Sequence, residues 1–214
     1  MRPVELSSAL LRLDQPHPDD AALVFEYCQD PLFKGYLAAM PWPYRPEDAT
    51  GFISAHVPSG WADDNEYTWA LRTPVPAPPA EAPGLPAGPG SPLLGVISLS
   101  LPPRRAGGTG ARTGSIGFWL GAPHRGRGLM VEAERLVLDW AFAGDLLDAV
   151  HWECVAGNLG SARAARKAGF SFTTEAPARP AYRDGSHPMS WHGILHASDD
   201  RTPRPGWPAA VTAA

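Results

Sequence analysis

The order of the expected elements predicts a mixed protein of the α+β class. Three strand-like segments, over residues 67–71, 93–101 and 115–120, follow one another with no helical pattern between them. Elsewhere the chain mixes strands with helices, but the strict βαβ alternation of a doubly wound fold is missing. We therefore expect an antiparallel run of three strands inside a mixed sheet.

The first part of the chain is expected to carry one strand and two helices before that run. Apolar residues predict a strand over 9–13. Asp19 and Asp20 favour a helix start, because Asp is a good N-cap, and Asp30-Pro31 ends that helix. The pattern then predicts an ordered loop over 32–46, a helix over 46–56 and a loop over 58–65.

Residues 73–92 consist mainly of proline, alanine and glycine and contain no aromatic residue. Such a segment buries too little apolar surface to offset the entropy of ordering, so we interpret it as a flexible surface insertion. A linker between two domains is rejected because neither side would hold a complete fold. We predict one domain over 1–197 and a C-terminal tail over 198–214.

The second half is expected to alternate strands with helices. Residues 131–142 carry apolar side chains on one helical face. A short helix over 161–168 is closed by Gly169, a favourable residue for a left-handed helix end. Strands are predicted over 148–155, 170–174 and 189–195.

Composition argues against several classes of function. The formal net charge of −4 disfavours direct nucleic-acid binding. No segment approaches the roughly 20 apolar residues that cross a bilayer, and no secretory signal is recognisable. Cys28 and Cys154 lack metal-ligand spacing and the seven histidines lack paired spacing, so no metal is expected. We expect a cytoplasmic protein with reduced thiols.

A glycine-rich turn between the strand 115–120 and the helix 131–142 is the strongest functional signal. Two glycines let backbone N–H groups approach an anion closely, and a helix N-terminus carries about half a positive charge. Two arginines add donors suited to phosphate oxygens. We interpret the turn as a phosphate cradle formed by Arg125, Gly126, Arg127, Gly128, Leu129 and Met130.

Two common nucleotide motifs do not fit this cradle. A Walker loop ends in Gly-Lys-Ser/Thr, which is absent here. A GxGxxG fingerprint that starts at Gly126 also fails, because its third glycine would stand at position 131, which is Val131. A ligand other than ATP or NAD is indicated.

A second motif lies downstream of the cradle. It reads Asn-x-x-Ser, then a basic residue and Lys-x-Gly-Phe, at Asn158, Ser161, Arg163, Lys167, Gly169 and Phe170. With Arg125 and Gly128, which match the pattern Gln/Arg-x-x-Gly-x-Gly/Ala, the chain resembles the GCN5-related N-acetyltransferases (GNAT), and among them the RimJ/RimL-like ribosomal-protein branch. Met130 departs from the small final residue of that pattern. The resemblance covers residues 8–196.

The resemblance implies the GNAT fold, in which a twisted, mostly antiparallel sheet splays at a pair of parallel strands and binds acetyl-CoA there. The cradle residues 125–130 would hold the pyrophosphate. We expect the pantetheine amides to pair, as an added strand would, with the backbone of Phe118, Trp119 and Leu120. The other side of the cofactor would meet Asn158, Ser161 and Lys167.

The implied reaction is direct attack of a primary amine on the thioester. The amine must be neutral, the oxyanion needs a donor and the departing thiolate needs a proton. Ser161, with Asn158 beside it, is the first candidate for the acid, and Tyr182 is the second. Many family members carry a glutamate where this chain has Ser115. The identity of the general base therefore stays open, and the candidates are Glu153, Glu132 and a water chain.

The acceptor is expected to be a protein N-terminal α-amine or a small-molecule amine, in a pocket shaped by Trp42 and Tyr44. Two alternatives remain open. A non-catalytic acyl-CoA-binding regulatory or scaffold module is favoured by the missing carboxylate at Ser115. The second alternative is transfer of a longer or acidic acyl group, which Arg104, Arg105 or Arg112 would attract. A homodimer is also compatible with the sequence.

Overall fold

The structure of the protein is a computed structural model that describes residues 1–74, 90–103 and 111–213. Most of the predicted insertion over 73–92 lies outside the described residues, as do Arg104 and Arg105. Within the described part, no helix is both long and apolar enough to cross a membrane.

The described residues form one sheet of eight strands in the order β1-β2-β3-β4-β5-β6-β8-β7. Every neighbouring pair is antiparallel except β5 and β6, which are parallel. This confirms the predicted mixed fold with a single parallel pair. The strands are β1 (Leu6–Ser7), β2 (Arg12–Asp14), β3 (Glu66–Arg72), β4 (Gly95–Ser100), β5 (Thr113–Leu120), β6 (Ala149–Val155), β7 (Ser171–Pro177) and β8 (Met189–His196).

Helices cover both faces of this sheet. Two 3₁₀ turns lie at Pro18–Asp20 and Ala122–His124, and a π-helical turn, Phe52–His56, joins the third helix to the fourth. The α-helices are α1 (Ala21–Tyr27), α2 (Pro31–Tyr36), α3 (Pro46–Gly51), α4 (Val57–Ala62), α5 (Leu129–Ala143), α6 (Leu159–Ala168) and α7 (Ala209–Thr212).

Two segments expected to be loops are helical. The first helix ends at Tyr27, just before Asp30-Pro31. Asp30 starts α2, because its carboxylate accepts the Leu32 N–H at 3.0 Å and Pro31 follows at the first helical position. The predicted loop over 58–65 was wrong up to Ala62, since α4 continues the preceding helix and buries Trp61. Burial of that indole outweighs the low helix propensity of the surrounding Pro, Ser and Gly.

Alternate strand residues supply two separate cores. On β3 and β4, Trp69 and Ile97 belong to a large cluster beneath α5 and α6, whereas Ala70 and Val96 belong to a smaller cluster beneath α1 and α3. Successive side chains on a strand point to opposite faces, so these central strands are buried on both sides. Both faces of the central sheet are therefore covered by packed side chains.

The segment expected to be a tail packs against the large core. Trp207 is buried, with its ring centroid 5.5 Å from that of Trp152 and 5.7 Å from that of Phe172. Val211 of α7 is also buried. Three prolines suggested an unstructured end, but one large indole provides enough apolar area to hold the segment in place.

A buried arginine ties the sheet to the first helix. Arg72, at the end of β3, is fully buried and donates from Nε to Asp14 at 2.7 Å. Its two terminal nitrogens donate to the two carboxylate oxygens of Asp20 at 2.8 and 2.6 Å. The geometry is a two-pronged pair in which both charges are removed from water.

Replacing Asp20 by alanine is expected to destabilise the protein by about 3–5 kcal/mol, because the buried Arg72 charge loses its main partner. Urea unfolding followed by circular dichroism measures the loss. Asp19→Ala is the matched control; that carboxylate is 72% exposed and should contribute about 1 kcal/mol or less. Equal effects of the two changes would contradict a special role for the buried pair.

Candidate functional site

The parallel strands β5 and β6 stay together over only part of their length. They pair from Thr113 with Ala149 as far as Ile116 with Trp152. On its other side β5 remains paired with β4 up to Leu120. Residues 117–120 therefore present one backbone edge to the space between the diverging strands, and an extended ligand can pair there.

Two clefts flank this divergence. The first, which we call the cradle cleft, has a volume of about 590 Å³, and the second cleft about 650 Å³. Tyr36 and Leu37, at the end of α2, line both. The predicted cofactor residues that line the cradle cleft are Phe118, Trp119, Leu120, Arg125, Gly126, Gly128, Leu129, Met130, Asn158, Ser161 and Lys167.

The cradle has the geometry of an anion site. Gly126 and Gly128 have φ values of +74° and +77°, and a Cβ added at either would meet no atom within 4 Å. Gly128 is the N-cap of the 15-residue helix α5, whose first turn has no side-chain cap. The first N–H groups of a helix have no acceptor within it, so this end offers donors and a positive dipole to the cleft.

Arg125 lies in the cradle but is already engaged. Its Nε donates to the Leu120 carbonyl at 3.0 Å, and its Nη1 lies 2.7 Å from the Asp30 carboxylate. The guanidinium also lies over the ring of Phe33, 5.2 Å from the centroid. Nη2 is buried and has no partner among the described residues, so it is the nitrogen left for a ligand oxygen.

Met130 and Arg127 occupy the two remaining cradle positions. Met130, the departure from the family pattern, is buried in the large core and also borders the cradle cleft. Arg127 is exposed and is absent from the described lining of the cradle cleft. Among the arginines of the cradle, Arg125 is thus the one that borders the cleft.

The start of α6 forms the opposite wall of the cradle cleft. Asn158 is its N-cap, and its side chain accepts the Ser161 N–H at 3.3 Å. The Ser161 hydroxyl accepts the indole N–H of Trp152 at 3.1 Å. Because that contact uses an oxygen lone pair, the hydroxyl hydrogen remains able to donate. Cys154 lies beside it, and burial raises the pKa of this thiol to about 12.

The second cleft contains the predicted Glu153 and Tyr182. Glu153 Oε1 accepts the backbone N–H of Arg179 at 3.1 Å, and Oε2 lies 3.5 Å from His192 Nδ1. Burial raises the pKa of Tyr182, and the nearby Glu153 raises it further, so the tyrosine hydroxyl stays protonated at neutral pH. This side of the divergence thus combines a carboxylate with a hydroxyl donor.

Sequence reasoning missed two histidines at this site. His151 lines the second cleft beside Ser115, its partner in the parallel register. His192, 2% exposed, lies on β8 opposite Glu153. Burial lowers the pKa of His151 to about 4, and the positive Arg179 and then His192 make smaller contributions in the same direction. His151 and His192 are 41 positions apart in the chain, so only strand pairing brings the two histidines together.

Three sequence candidates lie away from the clefts. Tyr44 is only 7% exposed, belongs to the smaller core and is hydrogen-bonded to Cys28. It therefore has a packing role, and neither it nor Trp42 is among the described residues lining either cleft. Glu132, in the first turn of α5, is absent from both linings as well. The second cleft is bordered instead by Tyr36, Leu37 and Met40.

Two solved structures share this architecture. Mycobacterium smegmatis RimJ, in complex with CoA-disulfide, is 14% identical with a TM-score of 0.69, over 91% of this chain and 87% of that one. The microcin C7 self-immunity acetyltransferase MccE, in complex with acetyl-CoA and AMP, is 15% identical with a TM-score of 0.67, over 88% and 93%. At these identities the likeness is one of fold.

The chain also matches known proteins at the level of sequence. The probable N-acetyltransferase YjcK of Bacillus subtilis (strain 168) is 41% identical over 78 residues, which are 36% of this chain and 41% of that protein. The match thus spans less than half of that relative. A family model described as the acetyltransferase (GNAT) domain matches residues 11–171, which include the cradle and the Asn158 motif. The chain belongs to the GNAT acetyltransferase family.

Proposed function

We propose that this protein transfers an acetyl group from acetyl-CoA to a primary amine. The observation that carries the proposal is the divergence of β5 from β6 next to an uncapped helix N-terminus with two open glycines. A strand edge suits the pantetheine amides, and the cradle suits the pyrophosphate. Family membership and the CoA-type ligands of RimJ and MccE support the same cofactor.

The reacting centre lies where the two clefts meet. Acetyl-CoA occupies the cradle cleft with its thioester near Ser161, and the acceptor amine enters by the second cleft. The new C–N bond forms as the C–S bond breaks. The amine proton passes to Glu153, directly or through one water, and the thiolate takes a proton from the Ser161 hydroxyl. Water in the clefts then returns a proton to Ser161 and removes one from Glu153, so the enzyme ends as it began. Tyr182 remains the second candidate for that donor.

The acceptor is a small-molecule amine or a protein N-terminal α-amine. The name of the relative YjcK, an N-acetyltransferase, supports nitrogen as the atom acetylated. One domain, a cytoplasmic location and a possible homodimer remain predictions from the sequence. Release of free CoA thiol, measured over a panel of amines and peptides, tests the activity. Tight CoA binding without turnover on any acceptor would favour the non-catalytic module.

Gly128→Trp is expected to weaken CoA binding by at least about tenfold, or about 1.4 kcal/mol, because the indole would fill the space of the pyrophosphate. Isothermal titration calorimetry measures the affinity. Gly185→Trp is the matched control, since Gly185 also has φ +77° with open space around its Cβ and is absent from the cradle-cleft lining. Unchanged affinity in a folded Gly128→Trp protein would reject the cradle.

Ser161→Ala is expected to lower kcat about 100-fold with little change in CoA affinity, because thiolate protonation is lost. Tyr182→Phe should have the smaller effect on kcat. Ser54→Ala, on an exposed serine that lines neither described cleft, is the control. Full kcat in Ser161→Ala together with a large loss in Tyr182→Phe would transfer the role to the tyrosine.

A further inference from the structure

Three metal-binding side chains from two neighbouring strands meet at the second cleft. Glu153 on β6 pairs directly with His192 on β8. His151 precedes Glu153 by two residues and so lies on the same face of β6. Directly opposed and diagonal side chains on one sheet face are close enough to share a ligand.

Two of the three distances within this group match the edge of a metal coordination tetrahedron. His192 Nδ1 lies 3.4 Å from His151 Nε2 and 3.5 Å from Glu153 Oε2. The three ligand atoms all lie within 4.8 Å of one another. In a tetrahedral zinc site, bonds of about 2.0–2.1 Å place neighbouring ligand atoms about 3.3–3.4 Å apart. Small side-chain movements would bring all three atoms onto one ion.

The outer contacts of the group are those that orient metal ligands. His192 Nε2 lies 3.4 Å from the Ala176 carbonyl, which can accept its N–H in the tautomer that leaves the Nδ1 lone pair for a metal. Glu153 uses Oε1 to accept the Arg179 N–H, which leaves Oε2 free to coordinate. Metal-bound histidines and carboxylates usually have such second partners.

With His192 in that tautomer, two lone-pair atoms face each other across the group. In that tautomer the lone pair of His192 Nδ1 can accept an N–H from His151 Nε2, 3.4 Å away, or bind a cation, and Glu153 Oε2 can bind the same cation. His192 is almost fully buried, so water reaches this side of the group poorly. A divalent ion satisfies all three atoms at once.

We propose that His151, Glu153 and His192 bind one divalent transition-metal ion, with zinc the best match to two imidazoles and one carboxylate. His151 and Glu153 line the second cleft, which gives the ion an entry path and leaves its fourth position open to the cleft. Two histidines, one glutamate and an open position are a typical catalytic zinc arrangement. The site does not depend on acetyl transfer.

One consequence does rest on the proposed function. The water between the acceptor amine and Glu153 would be bound to the ion. Zinc lowers the pKa of its bound water to about 7, so the bound hydroxide would take the amine proton near neutral pH. Glu153 would then act as a ligand of the ion.

The test uses untagged full-length protein, stripped with a chelator and dialysed. Zinc binding is measured by calorimetry and by metal analysis, and Co²⁺ is added to record the visible absorption of a tetrahedral site. We expect one ion per chain. Glu153→Gln keeps the side-chain shape and should weaken zinc binding about 100-fold, as should His192→Ala if it folds. His196→Ala, an exposed histidine also on β8, should bind as the wild type does.

Two outcomes would overturn the proposal. One is the absence of stoichiometric zinc at saturating free metal, which would mean that hydrogen bonds alone hold the group together. The other is equal zinc affinity in Glu153→Gln and the wild type. CoA affinity is measured in the same samples. Normal CoA binding and turnover in metal-free protein would reject only the metal-bound water as the base, and would leave the acetyl-transfer proposal intact.

Discussion

The incomplete pairing of β5 with β6 is the constraint on which the rest of the site depends. Two parallel strands need a crossover between them, and here α5 supplies it. The crossover helix has to start where β5 ends, so its N-terminus lies beside the place where the strands separate. The backbone edge of β5 and the positive end of α5 therefore face one cleft as a direct result of topology.

The two strands contribute different chemistry to this opening. β5 offers mainly backbone, at residues 117–120 and in the turn that follows. β6 offers side chains, and its alternation divides them: Trp152 lies in the core and holds Ser161, whereas His151 and Glu153 face the second cleft. The proposed cofactor and acceptor sites thus draw on different groups of neighbouring strands.

The fold was predictable where local signals agreed with burial. The helix after the cradle, the Gly169 end and the central strands all follow from short-range patterns, whereas the short helix predicted over 161–168 begins earlier, at Leu159, with Asn158 as its N-cap. The segments at α2, α4 and α7 were missed because prolines and glycines suggested loops. In each case an aromatic side chain buried against the sheet, such as Trp61 or Trp207, stabilises structure that propensity alone disfavours.

The sequence by itself determined the cradle and the family, since phosphate-type binding through backbone needs glycines and a helix start that are adjacent in the chain. Only the tertiary structure decided the chemistry of the second cleft. It placed Tyr44 in the smaller core, buried Met130 in the large core at the border of the cradle cleft and brought His192 to Glu153 across a strand pair. Contacts between residues far apart in the chain depend on strand register, which no local spacing reveals.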